Sequence, residues 1–171
     1  YPGPGLGGHC IPVDPTFLSW KANQHGIETQ FIDLADRINR EMPRHVVQRV
    51  SDIINNNGVA LPDASVLVVG VAYKPGVTDT RESPAHDVMQ LLDGRGVDVA
   101  YHDPHVPEFE TDGVMYTSVS PTSENEDTYD CAVVLTDHST LDFEAITEAA
   151  SVVFDTRNAV GESERGNVVR L

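Results

Sequence analysis

At 171 residues the chain is long enough for one sizeable domain, or for a smaller domain carrying a helical piece, with a real core in either case. Its 11 basic residues stand against 27 acidic ones, a formal charge of −16, which argues against nucleic acid, whose binding needs clustered lysine and arginine to displace counterions. No apolar run is long enough to cross a bilayer, and two cysteines, Cys10 and Cys131, do not make a disulfide framework.

The setting expected from these features is reduced and cytoplasmic, with any signal ahead of Tyr1 left open. The chain does not begin with Met and opens in the middle of a motif, so it reads as a piece of something longer. Only two lysines occur, Lys21 and Lys74. An acidic, lysine-poor surface is what a protein of a high-salt cytoplasm carries, because dense charge is screened there and keeps the chain soluble; an ordinary acidic protein is the alternative.

The first element is a loop, Gly3 to Pro15, holding four glycines, three prolines and Cys10. Glycines allow positive φ and let a ligand lie against the main chain, and prolines stiffen the path, so the thiol is presented and not buried. Asp14 as N-cap and Pro15 at the first helical position then predict a helix that stops near Gly26. Phe31, Leu34, Ala35, Ile38 and Met42 recur at helical spacing, as do Val46, Val47, Val50, Ile53 and Ile54 after Pro43, and Asn55 to Gly58 is a stop. A long, bent helical element is expected, packed either on a part of the protein outside the chain or on its twin in a dimer.

From Ala64 the pattern changes. Ser65 to Gly70 is a continuous apolar strand of the kind buried on both faces of a parallel sheet. A loop to Glu82, a helix opening at Ser83-Pro84 and closing at Gly94 and Gly96, and a strand Val97 to Tyr101 follow. An acidic loop, a short strand at Val114 to Tyr116, a weak helix start at Ser120-Pro121, a buried strand Cys131 to Thr136, a helix around Leu141 to Ala149 and a strand Ser151 to Asp155 complete the series. Ser118 to Thr128 is polar enough to be mobile, and Gly161 to Leu171 reads as a partly ordered tail. The fold class expected is α/β, a Rossmann-like parallel sheet flanked by helices and preceded by a long helical dimerisation segment. Residues 1–60 form the cysteine loop and helical segment, and residues 61–171 the α/β domain.

In an open parallel sheet the ligand sits at the carboxyl ends of the strands, so the loops after Gly70, Tyr101, Thr136 and Asp155 are where binding residues belong. The first, Gly70-Val-Ala-Tyr-Lys-Pro-Gly76, lacks the G-x-G-x-x-G spacing of a dinucleotide site.

Gly5-Leu-Gly-Gly-His-Cys-Ile-Pro-Val-Asp14 resembles the cysteine motif of the UDP-glucose/GDP-mannose dehydrogenase family, and its wording is nearest the branch acting on 2-acetamido sugars such as UDP-N-acetylmannosamine. Gly70 to Pro84 resembles the motif that opens that family's UDP-binding domain, and Tyr101-His-Asp-Pro104 and Phe154-Asp-Thr-Arg-Asn158 resemble its strand-end motifs. The likeness recurs in order from the first residue to about Asn158. It implies an NAD-dependent oxidation of a nucleotide sugar's C6 alcohol to a carboxylate. The Cys10 thiolate attacks the aldehyde left by a first hydride transfer, the thiohemiacetal gives up a second hydride, and the thioester is hydrolysed. The family associates through its central helices, which implies a homodimer.

Each implied role has a plainer alternative. Cys10 is otherwise a structural cysteine. Asp14 matches the catalytic aspartate that positions water or the substrate hydroxyl, and it is also a good N-cap. Gly7 falls where backbone meets substrate, or is turn geometry. Lys74 would meet the nucleotide sugar, Arg81 reach NAD, and Arg157 bind substrate from a neighbouring subunit, each with a surface ion pair as the alternative. Asp79 and Glu82 would orient Arg81. His9 would lower the thiol's pKa by proximity, select the 2-acetamido sugar or only fill the loop, the last being favoured because adjacent side chains point apart; zinc is not expected at His9 and Cys10, and His102, His105 and His138 read as surface histidines. The sequence departs from the glucose branch at Val13, where a lysine is common. The NAD-binding domain and the rest of the active site would precede Tyr1. The chain by itself would then be a nucleotide-binding and dimerisation module without turnover; a cysteine hydrolase is disfavoured for want of a general-base histidine in context.

Overall fold

The structure, a computed structural model, describes residues 3–121, 128–161 and 165–171. Two helices, α1 (Cys10–Asn23) and α2 (Gln30–Asn56), lead through a short 3-10 turn at Leu61–Asp63 into β1 (Ser65–Val69), α3 (Pro84–Asp93) and β2 (Asp98–His102). A hairpin of β3 (Glu108–Thr111) and β4 (Val114–Thr117) follows, then β5 (Tyr129–Val134), α4 (Phe143–Ala149), β6 (Ala150–Asp155) and β7 (Val168–Arg170). Five strands form one sheet in the order β2-β1-β5-β6-β7, and all its pairings are parallel.

Alternation along the strands sorts the sheet's residues into two apolar layers. Val66 and Val68 of β1, Cys131 and Val133 of β5 and Phe154 of β6 face α2 and α3. Leu67, Val69, Ala132, Val134 and Val153 face the α4 side, where Ile146 meets them. Both faces of the sheet are covered, which is why β1 and β5 read as unbroken apolar runs. Burying each of these valines and leucines contributes about 1.5–3 kcal/mol, against about 1–2 kcal/mol per residue for ordering the backbone.

Helix boundaries mark where the sequence reading needs correction. α1 begins at Cys10, not after Asp14, and its N-cap is His9, which makes no side-chain cap bond. Asp14 is the helix's fifth residue and Pro15 lies inside it. Proline there removes one backbone donor, yet the helix persists, closing near Gly26 as expected, with φ of +72° at that glycine. α2 runs unbroken through Pro43, and its second half does not wait for a partner: Val46, Val47, Val50 and Ile54 are completely buried against this chain's own sheet layer. Its first half is different, with Phe31, Leu34 and Ile38 exposed.

α3 is as read, with Ser83 Oγ accepting from the Ala85 N–H and Pro84 at the first position. Two strands were missed. The acidic loop after β2 holds β3, whose Phe109 is buried against Tyr101 and His86, and the tail supplies β7 as a parallel edge strand on β6. Alternation in β3 is hard to see because only Phe109 of its two inward residues is apolar, the other being Thr111. Ser120 and Pro121 lie in irregular chain, and the rest of that polar stretch, residues 122–127, falls outside the described residues.

The division of α2 is measurable in urea unfolding. Ile54→Ala, in the buried half, is expected to cost about 2–5 kcal/mol, whereas Ile38→Ala in the exposed half stays within about 0.5 kcal/mol in the monomer.

Candidate functional site

Strand order reverses between β1 and β5, because the chain goes from β1 outward to β2 and returns to β5 on β1's other side. Such a switch point opens a crevice at the carboxyl ends of the strands. Here it is filled from within. Gly70 (φ +78°) turns the chain so tightly that an added Cβ would lie 2.5 Å from the Thr136 carbonyl oxygen. Thr136 Oγ1 donates to the Ala72 carbonyl at 2.6 Å.

Between these loops lies Asp103, 2 % exposed, at the end of β2. Its Oδ2 accepts from the backbone N–H groups of Val71 (2.8 Å) and Ala72 (3.1 Å), and its Oδ1 from those of His105 (2.8 Å) and Val106 (3.2 Å). His138 Nε2 stands 3.1 Å from Oδ2. Burial works to raise this carboxyl, but the bonds from His138, His105, Val71 and Ala72 outweigh it and hold the group down at about 2. His138 is therefore not a surface histidine: it is 1 % exposed, and the Gly76 N–H donates to its Nδ1 at 3.0 Å. Nδ1 must be unprotonated to accept, so the ring is neutral with its proton on Nε2, donated to Asp103. His102 and His105 are half-buried, His102 Nδ1 lying 2.6 Å from the Val119 carbonyl.

The turn clamped in this way carries Tyr73 and Lys74. Lys74 is exposed, its Nζ 5.3 Å from the centre of the Tyr73 ring. Tyr73 in turn supports the N-terminal glycine strip. A Cβ on Gly8 would fall 2.7 Å from the ring, and one on Gly7 2.6 Å from the Glu82 carbonyl and 2.9 Å from Tyr73 Cβ. Close approach of main chain to ring and loop, together with φ of +86° at Gly8, makes glycine necessary there. The Gly8 N–H donates to the Arg81 carbonyl at 3.2 Å, and Asn39 of α2 holds the Leu6 N–H at 2.7 Å. The strip delivers Cys10 to the first turn of α1, exposed. Asp14 lies one turn further along, on the same helix face, with Cβ atoms about 5–6 Å apart in such a pair. The second cysteine, Cys131, is wholly buried and its thiol is pushed up to about 12, chiefly by burial.

The sequence reading's three cations stand apart in their surroundings. Arg81 is exposed and forks onto Asp79, with Nε at 3.0 and 3.1 Å and one terminal nitrogen at 2.7 Å from its oxygens, so Asp79 does orient it. That pairing holds Asp79 down at about 2, although water and salt screen the energy of an exposed pair. Glu82 does not touch Arg81 in any recorded bond but takes φ of +53° beneath Gly7. Arg157 lies at the carboxyl end of β6, its Nε donating to the Leu135 carbonyl at 2.6 Å. Its guanidinium lies beneath Gly3, 2.8 Å from where a Cβ would stand, and burial lowers its affinity for the proton against the pull of Asp137.

The structure thus brings Gly7, Cys10, Lys74, Arg81 and Arg157 around one glycine strip and one sheet edge. The sequence reading did not pick out Tyr73, Asn39 or the Asp103–His138 pair. The available signal was the Asp-Pro pair after β2 and a histidine two residues beyond Thr136, both at strand ends. No dinucleotide cradle remains at the switch point, because Asp103 takes the N–H groups of Val71 and Ala72 that a pyrophosphate would need. Among the described residues no three His, Cys, Asp or Glu side chains gather as a metal site, and no helix is long and apolar enough to cross a membrane.

Comparison with known proteins bears directly on this arrangement. Residues 67–162, more than half of the chain, match the model of the UDP-glucose/GDP-mannose dehydrogenase family, UDP binding domain, and residues 1–41 match the same family's central domain. The chain belongs to the UDP-glucose/GDP-mannose dehydrogenase family. It is 37% identical over 170 residues to a UDP-N-acetyl-D-mannosamine dehydrogenase of Methanococcus maripaludis, covering 95% of this chain and 37% of that protein. The structure of UDP-D-ManNAc dehydrogenase from Pyrococcus horikoshii superposes with a TM-score of 0.80 at 26% identity, over 98% of this chain and 39% of that one. A UDP-N-acetyl-mannosamine dehydrogenase from Staphylococcus aureus gives 0.73 at 32% identity, over 98% and 38%. The chain therefore spans less than two-fifths of the length of these family members.

The Asp103 clamp predicts an acid-labile fold. With the folded carboxyl at about 2 and the ordinary value at 3.8, its contribution is complete above about pH 4 and is lost as pH falls through 2. Urea midpoints measured from pH 6 to pH 2 should fall across that window, and Asp103→Asn should be weaker at pH 6 with a shallower fall.

Proposed function

We propose that the chain is the C-terminal part of an NAD-dependent nucleotide-sugar 6-dehydrogenase, of the type that converts UDP-N-acetylmannosamine to its uronate. The observation that carries the reading is the seating of the glycine strip on Tyr73, which puts the helix bearing an exposed thiol and the turn bearing Lys74 on one support. Residues 61–171 serve as the UDP-binding domain, and residues 1–60 supply the cysteine and an association surface.

Lys74 and Arg157 supply positive charge at the sheet edge of a chain with very little of it, the right sign for a nucleoside diphosphate. Gly7 offers backbone to the sugar at close range. Cys10 Sγ adds to the C6 aldehyde and holds the carbon tetrahedral; after the second oxidation the thioester formed on sulfur is cleaved by water. Asp14, one helical turn along the same face, is placed to orient that water. NAD supplies the hydride acceptor. The described residues hold no cradle for it, and Arg81 is the one cation assigned to reach it.

Ile11, Phe17, Leu18, Trp20 and Phe31 are exposed on α1 and at the start of α2, an apolar area that supports association into a homodimer; a cytoplasmic setting rests on the cysteine usage alone. An acidic, lysine-poor surface supports a high-salt setting. A second reading has its own observation: with no dinucleotide cradle among the described residues, the chain by itself binds the UDP-sugar without turning it over. UDP-glucose or GDP-mannose remains the alternative substrate for the parent enzyme.

Calorimetric titration in high salt with UDP, GDP and UDP-N-acetylmannosamine tests the nucleotide reading. Heat with UDP that Lys74→Ala reduces at least about tenfold in affinity is expected; binding of GDP alone moves the parent to GDP-mannose, and a folded chain silent to all three removes the reading. Sedimentation of the same samples reports association. Thiol titration with a chromogenic disulfide should modify Cys10 in the native chain and Cys131 only on unfolding, and UDP-N-acetylmannosamine should slow the first reaction.

A further inference from the structure

Lys74 needs a fixed position to be worth anything as a nucleotide contact, since a lysine side chain loses much rotamer freedom when it is pinned and its backbone sits on an exposed turn. Most turns of this kind are held by their own hydrogen bonds. The loop keeps one such bond, the Tyr73 N–H donating to the Asp79 carbonyl at 3.0 Å, and the 72–76 turn is held from outside as well, on both flanks of Lys74. Before it, the Val71 and Ala72 N–H groups bind Asp103 and the Ala72 carbonyl accepts from Thr136. After it, Gly76 (φ +71°) turns its N–H onto His138 Nδ1. The flanks are joined through one side chain, because His138 Nε2 also reaches Asp103. Both members of the pair are almost completely buried, where a polar group that only filled space would be costly.

We infer that His138 is a positioning residue for nucleotide binding: its neutral imidazole relays the Asp103 carboxylate to the Gly76 N–H and thereby fixes the turn that presents Lys74. This deepens the nucleotide reading above and rests on it. An imidazole suits the task because its two nitrogens, flanking Cε1 and pointing in diverging directions from a rigid ring, donate to a carboxylate and accept from an amide at once. A side chain lacking either function leaves one lone pair of the buried Asp103 without its partner, or releases the N–H of Gly76, on the exposed turn, from its anchor.

The test uses this chain in three measurements. In the wild type, nitrogen chemical shifts of His138 should show a bare Nδ1 and a protonated Nε2; a proton on Nδ1 overturns the inference. His138→Leu should raise the exchange rate of the Gly76 amide and weaken UDP about tenfold. His138→Gln, whose amide can both accept and donate, should recover both. Ile146→Val, a small core deletion on the opposite face of the sheet, should lower the melting temperature while leaving UDP affinity unchanged, so that destabilisation alone is not mistaken for positioning. Should the leucine variant not fold, His138→Met removes the same two bonds with a more adaptable side chain. Unchanged UDP affinity in the leucine or methionine variant, or a loss that glutamine does not recover, overturns the role of His138. A wild-type chain that binds no UDP removes the nucleotide reading itself, and this inference with it.

Discussion

One carboxylate organises the working edge of the sheet. Asp103 accepts five hydrogen bonds, from four backbone N–H groups and one imidazole, and these come from three different strand ends. Parallel strands leave their carboxyl-terminal loops without partners of their own, because the ladder stops where the strand does. A buried, ionised side chain that binds the first amides of β1's loop and of its own supplies the missing partners. Remove it and the sheet keeps its apolar layers while the edge loses its shape.

The same arrangement explains why a Rossmann-like sheet need not be a dinucleotide site. In a dinucleotide-binding domain a glycine-rich turn leaves its N–H groups free for a pyrophosphate. Here the chain's own negative charge occupies the equivalent place, and the cations lie further out, on Lys74 and Arg157. What is left at the edge is a surface bordered by the glycine strip and carrying these two cations.

Much of this was legible in the residues. Unbroken apolar runs at Val66 to Val69 and Cys131 to Val134 announced strands buried on both faces, and Ser83-Pro84 announced α3, because those patterns are set by short-range sterics and burial. The α1 start was misread for a physical reason: Asp14-Pro15 has the local chemistry of a helix opening, but the strip packed on Tyr73 begins the helix five residues earlier and the proline is tolerated within it. The second half of α2 was read as lacking a sheet because its partners, β5 and Phe154, lie some eighty or more residues further along. His138 failed for the same reason. Nothing beside it in sequence reveals that Asp103 and Gly76 converge on it from far away, and an isolated histidine after a strand reads as exposed.

Gly7 and Gly8 carry a lesson for comparing relatives. Neither can gain a methyl group without meeting the Glu82 carbonyl or the face of Tyr73, so purifying selection acts on them through packing, whatever the chemistry downstream. A descendant that had lost the thiol and its turnover would still retain both glycines for as long as it kept the tyrosine. Their persistence in a lineage would be a record of the fold, and the residues that would record catalysis are those whose side chains the fold does not use.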